Sequence, residues 1–402
     1  MVQAEVNIGM LGHVDHGKTS ITQKLTGIWT DTHSEEVKRG ITIKLGYADV
    51  LFRKCARCPE PQCYTIQDKC PNCGGPAEVL RKISILDAPG HETLMTTAIS
   101  ASNVVDGAIL VIAANEKCPQ PQTAEHLGIL EIMGIKNLVI VQNKVDLVKK
   151  EKALQNYKEI CDFLSTTKIQ EPPIVPVVAN QGVNIDALIG QIQKTIPTPE
   201  RNLSAPPRLY VARSFDVNKP GTSIKGLIGG VVGGSLIQGK IKVGDELEMR
   251  PGIRVVDKGK ESFKSIPFKV ESLGTGKEKL EEAIPGGLIA IGTKLDPALT
   301  KSDGLVGNLI GTPETLPEIT TSIELEFFKM ERADVDPSPI KPDEPLVLSV
   351  GTSTNVAFIE KMKKNKLSLR LKRPICAEPG SKFAVCRRVG QRWRLAGHGV
   401  LI

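Results

Sequence analysis

The stretch Gly12-His13-Val14-Asp15-His16-Gly17-Lys18-Thr19 constrains this chain more than any other. A short apolar run over 6–11 precedes it, and a helical pattern over 19–26 follows. Strand, glycine loop and helix is the setting in which G-x-x-x-x-G-K-T cradles phosphate. The glycines let successive backbone N–H groups turn toward phosphate oxygens, and the helix N-terminus adds partial positive charge. Lys18 can reach the β- and γ-phosphates, and the Thr19 hydroxyl can ligate Mg2+. Asp15, His16, Gly17 and Ser20 complete a loop that faces a nucleotide triphosphate, although the sequence offers no task for the His16 side chain itself.

Apolar runs at 6–11, 43–52, 82–86, 108–113, 138–142 and 174–178 predict strands, and amphipathic stretches at 19–26, 91–102, 121–133 and 150–164 predict helices. Their alternation predicts a mostly parallel sheet with helices on both faces, binding ligands outside the carboxyl ends of its strands. Pro197, Pro199, Pro206 and Pro207 read as a stiff linker. Short strands with glycine turns follow and predict two small antiparallel β-barrels, divided near 311–317. The expected domains are 1–204, 205–316 and 317–402, with a knuckle inserted at about 53–76.

That knuckle contains Cys55-x-x-Cys58 and Cys70-x-x-Cys73, four soft thiolates that suit a closed, structural Zn2+ site, with Cys63 as a possible substitute ligand. Cys118, Cys161, Cys376 and Cys386 lack partners at metal spacing and read as packing residues. Asp87-Ala-Pro-Gly90-His91 places a carboxylate that can hold Mg2+ through water, a flexible glycine at the γ-phosphate, and a histidine able to orient an attacking water. Thr42, in Arg39-Gly-Ile41-Thr42-Ile43, can close over the metal. In Asn143-Lys144-Val145-Asp146 the aspartate can accept from the N1–H and 2-amino groups of guanine, donors that adenine lacks.

Lys and Arg number 52 against 45 Asp and Glu, a net charge of +7 that permits an anionic partner without demanding one. Aromatics are 4%, which argues against base-stacking platforms along the chain. Residues 1–5 do not read as a signal peptide, and no apolar run is long enough for a bilayer, so a cytoplasmic, reducing setting without membrane contact is expected for the nine cysteines.

Taken together, GHVDHGKT, RGITI, DAPGH and NKVD resemble the translational GTPases of the elongation factor Tu group. The cysteine knuckle, GITIKLGY from Gly40, the PQPQT of 115–125, RSFDVNKPG from Arg213, PGGLIAIGTKLDP from Pro285 and RWRL from Arg392 are similar to the γ subunits of translation initiation factor 2 in archaea and eukaryotes. The resemblance implies an α/β P-loop GTPase domain followed by two β-barrels, with GTP/GDP and Mg2+ as ligands and slow hydrolysis without ribosome or partner factors. It implies Thr42 as switch threonine beside Thr19 and Asp87, Gly90 as γ-phosphate sensor, His91 orienting water, and Val14 and Ile41 as the gate flanking that histidine. Asn143, Lys144 and Asp146 would hold guanine, with the Ala179 N–H reaching its oxygen.

As partners it implies initiator methionyl-tRNA, the α and β subunits of one heterotrimeric factor, and the small ribosomal subunit with its mRNA start complex, hydrolysis triggering release. The tRNA acceptor end would dock against the first barrel and the switch region, and Lys361, Lys363, Lys364, Lys366, Arg370, Lys372 and Arg373 could track phosphates. Rival readings are an elongation-type tRNA carrier, general or selenocysteine-specific, and a non-catalytic zinc-stabilised scaffold. Two departures from the family stand out: Val178-Ala179 where relatives carry Ser-Ala, and a shorter, proline-rich segment after Arg332.

Overall fold

The computed structural model describes residues 3–30, 46–88, 104–169, 171–219, 221, 228–276, 278–330, 340–342, 344–390 and 392–402. The chain divides into two compact units, 3–199 and 200–402.

In the first unit the strands are β1 (Val6–Gly12), β2 (Gly46–Cys55), β3 (Tyr64–Thr65), β4 (Ala77–Asp87), β5 (Gly107–Ala113), β6 (Leu138–Asn143) and β7 (Ile174–Val177). The helices are α1 (Lys18–Thr26), α2 (Pro121–Met133), α3 (Lys150–Ser165) and α4 (Ile185–Thr195). The sheet runs β3-β2-β4-β1-β5-β6-β7. β4, β1, β5, β6 and β7 are parallel, while β2 and β3 add on antiparallel. β1, β5 and β6 are buried along their whole length, which their unbroken apolar runs require of strands covered on both faces. Alternation splits them between two cores. Ile8, Met10, Ile109 and Val111 pack with Ile21 and Leu25 of α1 and Leu188, Ile189 and Ile192 of α4. Leu11, Leu110 and Ile112 face Leu127 and Leu130 of α2 and Ile160 and Leu164 of α3.

The order reverses at β1, whose neighbours are β4 and β5, so a crevice opens past its carboxyl end where the glycine loop begins. The predicted third strand is longer than expected. β4 starts at Ala77 because its first half pairs with β2 across the stem of the knuckle. Those residues are largely exposed and carry no apolar period to read. The helix expected at 91–102 and the first residues of the strand expected at 43–52 lie outside the described residues. No helix among the described residues is long and apolar enough to cross a membrane.

The second unit holds two antiparallel β structures. An eight-stranded sheet, which includes Arg208–Phe215, Val231–Gln238 and Glu246–Asp257, curls around Leu209, Val211, Val232, Leu236, Leu247, Met249 and Ile291. A ribbon of Ile241–Lys242 with Glu282–Ala283 adds Ile241 and Ala283 to the same core. The second structure is a closed six-stranded barrel from Ile319–Lys329 to Arg392–Leu401, filled by Leu325, Leu348, Leu369, Phe383 and Val385. Two arginines fasten the connector between them. Arg208 donates to Thr315 and Glu378, and Arg250 donates to the carbonyls of Pro313, Leu316 and Pro317.

Candidate functional site

The loop after β1 is shaped by contacts that only glycine allows. Gly17 has φ 93°, and a Cβ there would lie 2.3 Å from Asn143 Nδ2. Gly12 has φ 139°, and its Cβ would lie 2.4 Å from the Val111 carbonyl oxygen. α1 then starts at Lys18 with glycine as its N-cap, so no capping side chain occupies the first-turn amides. Lys18 is buried and its Nζ donates to the His13 carbonyl at 2.7 Å, folded across the loop where phosphate oxygens can replace that acceptor. Val14 is half-buried and Asp15 exposed, the latter at φ 59°.

The His16 side chain faces inward rather than toward the crevice. It is fully buried, with Nδ1 3.1 Å from the Val111 carbonyl oxygen and Nε2 3.2 Å from Glu116 Oε2. Its contribution to a nucleotide is therefore through the backbone. From α2, buried His126 accepts the Gly12 N–H on Nδ1 at 3.0 Å. Burial, above all, holds its imidazole neutral, with a pKa pushed down to about 3, so the acceptor is permanent.

Asp87 ends β4 fully buried beside Met10 of β1, and its Oδ2 accepts from the Thr30 hydroxyl at 2.8 Å. Thr19 is the second residue of α1, whose Ile21 and Leu25 pack with Ile83 and Ile85 of β4. Asp87 and Thr19 are the described groups that could hold Mg2+. Ile41, Thr42, Gly90 and His91 lie outside the described residues.

β6 delivers Asn143, which is buried. Its Nδ2 donates to the His16 carbonyl at 2.9 Å, and its Oδ1 accepts from the Ala179 N–H at 3.1 Å. Asn143 is thus a clasp between the phosphate loop and the loop after β7, with one of its two amide hydrogens left over by these bonds. The same bond engages the Ala179 N–H, the group expected to reach the guanine oxygen. Val178 brings no hydroxyl, and a backbone bridge to Val183 closes this loop instead. Lys144, at φ 61°, and exposed Asp146 follow Asn143 just past the carboxyl end of β6. No local pattern points to Thr30, Glu116 or His126, whose partners are 57 to 114 residues away.

The four knuckle thiols converge. Cys55, Cys58, Cys70 and Cys73 place their Sγ atoms within 4.8 Å of one another, with 3.5 Å between Cys55 and Cys73 and 3.6 Å between Cys58 and Cys70. Tetrahedral thiolates around Zn2+ stand about 3.8 Å apart, so the donor set fits that ion. The Arg57 N–H pulls the Cys55 thiol down to about 7, while its sulfur neighbours push Cys58 up to about 12. Four thiolates can coexist there if a cation offsets their charge. Cys63 is not in the cluster. It is fully buried in the apolar core with Phe52 and Tyr64, which corrects the expectation of a substitute ligand. The knuckle sits on α4, where Tyr64 covers Gly190 and Glu60 accepts from Lys54, Lys194 and the Tyr64 hydroxyl.

Lys361, Lys363, Lys364, Lys366, Arg370, Lys372 and Arg373 are all exposed on one hairpin of the closed barrel, with Arg370 paired to Glu360 and stacked on Phe358.

Residues 3–198 match the family described as Elongation factor Tu GTP binding domain, 229–305 match Elongation factor Tu domain 2, and 321–401 match Initiation factor eIF2 gamma, C terminal. The translation initiation factor 2 subunit gamma of Methanococcus vannielii is 56% identical over 405 residues, spanning 100% of this chain and 99% of its own. Those of Methanothermobacter thermautotrophicus and Pyrococcus furiosus are 52% and 51% identical, each over 99% of this chain and over 99% and 98% of their own. A bacterial selenocysteine-specific elongation factor superposes with a TM-score of 0.75 at 28% identity, over 100% of this chain and 58% of that one. Elongation factor SelB of Methanococcus maripaludis, bound to the GTP analogue GPPNHP, shares the fold with a TM-score of 0.74 at 22% identity, over 100% and 79%.

Proposed function

The chain belongs to the family of translation initiation factor 2 gamma subunits, which are translational GTPases, and from that premise we propose that it carries initiator methionyl-tRNA to the small ribosomal subunit in a GTP-dependent cycle. In this reading it is the core subunit of a factor completed by α and β subunits, acting in the cytoplasm. GTP orders the loops around Thr42 and Gly90. Hydrolysis, with water oriented by His91 behind the Val14 and Ile41 gate, relaxes them and releases the tRNA. Lys18 would steady the phosphates, Thr19 and Asp87 with Thr42 would hold Mg2+, and Asn143, Lys144 and Asp146 would hold guanine. The knuckle carries structural Zn2+, and the domains are 1–204, 205–316 and 317–402.

The observation that carries the nucleotide reading is the Asn143 clasp, which brings the phosphate loop and the base loops to one end of the sheet. Near-complete coverage of relatives named for this subunit supports the tRNA assignment. The test is retention of radiolabelled methionyl-tRNA on filters with GTP or GDP, with and without the partner subunits. Initiator tRNA retained with GTP and lost with GDP is the expected result. Equal retention of elongator methionyl-tRNA would overturn the initiation assignment in favour of an elongation-type carrier.

A further inference from the structure

The structure assigns Glu116 a role as a positioning residue for the phosphate loop, exerted through the buried imidazole of His16. This inference rests on the reading of that loop as a guanine-nucleotide site.

His16 stands in the middle of the loop, where successive amides must turn toward phosphate, and it is held at three points. Asn143 Nδ2 binds its carbonyl at 2.9 Å, Nδ1 lies 3.1 Å from the Val111 carbonyl oxygen, and Nε2 lies 3.2 Å from Glu116 Oε2. A carbonyl can only accept, so Nδ1 carries a hydrogen. Nε2 then meets a carboxylate oxygen, and a hydrogen bond there needs one proton between the two, whichever group owns it. The ring has no other freedom, being fully buried and packed 5.1 Å from the His13 ring.

Glu116 can serve as a post because its own segment is anchored. Its carbonyl accepts from Asn156 Nδ2 at 2.8 Å, and Asn156 Oδ1 accepts from Gln142 at 2.9 Å. On either side, Lys152 Nζ donates to the Asn115 carbonyl at 3.0 Å and Glu159 accepts the Cys118 N–H at 2.9 Å. The segment between β5 and α2 is thereby fixed to α3. The phosphate loop thereby gains a support separate from the Asn143 clasp. Glu116 is 32% exposed and reaches the buried ring from the solvent side, so its removal leaves the apolar cores untouched.

The test is release of a fluorescent GDP from the full chain in Mg2+, read beside thermal melting. Glu116→Ala is expected to speed release about tenfold. The melting midpoint should stay within about 3 °C of the native protein. Glu116→Gln is expected to restore release to within about twofold, because its amide N–H donates to Nε2 while Nδ1 keeps Val111. Unchanged release in Glu116→Ala would overturn the inference, as would a Glu116→Gln protein as impaired as the alanine variant. If the native chain bound no GDP at all, the nucleotide-site reading itself would fall, a result distinct from either.

Discussion

Asn143 shows how one side chain can tie together the loops of a site. It satisfies the His16 carbonyl and the Ala179 N–H at once, and Gly17 is required because any Cβ would collide with the same amide. Asn143→Ala would strand both buried groups. The expected cost is roughly 2–4 kcal/mol, read as a lower urea midpoint together with weaker GDP binding. A urea midpoint and an affinity both unchanged would refute the clasp. The motif N-K-x-D was legible because its spacing is local. That its first member bonds a residue 127 positions earlier was not, since no periodicity encodes such a partner.

At the scale of elements, the knuckle is seated in the first unit's core and does not stand apart. Cys55, Cys63, Cys70 and Tyr64 share an apolar cluster with α1 and α4. A Cβ on Gly190 would lie 2.8 Å from the Tyr64 ring. Gly190→Val should therefore cost about 1–3 kcal/mol and speed amide exchange in 55–75; unaltered exchange there would contradict the docking. Glu60 adds a pH-sensitive contact. Its hydrogen bonds from Lys194, then Lys54 and Tyr64, hold its carboxyl down at about 2 against an ordinary value of 4.5. A depressed carboxylate stabilises above the unfolded value, and that contribution is lost as pH falls from about 4.5 toward about 2. The seating of the knuckle on α4 should loosen across that window, monitored by Tyr64 fluorescence, and Glu60→Gln should flatten the profile. The C-x-x-C pairs pointed to a four-thiol cluster, which the fold assembles. That Cys63 lies outside the four-thiol cluster is a matter of tertiary placement, which sequence spacing does not carry.

At the scale of the molecule, the second unit is two β structures joined through one connector. Arg250 donates to three carbonyls of 313–317 while pairing with Glu248. Arg250→Ala should destabilise this unit by about 1.5–3 kcal/mol, with amide exchange rising first in 311–317; exchange unchanged there would show that the connector is held by other means. By itself the sequence determined the phosphate loop, the N-K-x-D motif, the cysteine pairs and the succession of an α/β unit and two antiparallel barrels. Each depends on groups a few residues apart or on apolar periodicity along one element. Tertiary structure alone decided that β2 and β3 run antiparallel, that the Ala179 N–H belongs to Asn143, that His126 fixes Gly12, and that His16 leans on Glu116. Those outcomes join residues up to 114 positions apart, and buried polar groups find such partners only once the cores have closed around them.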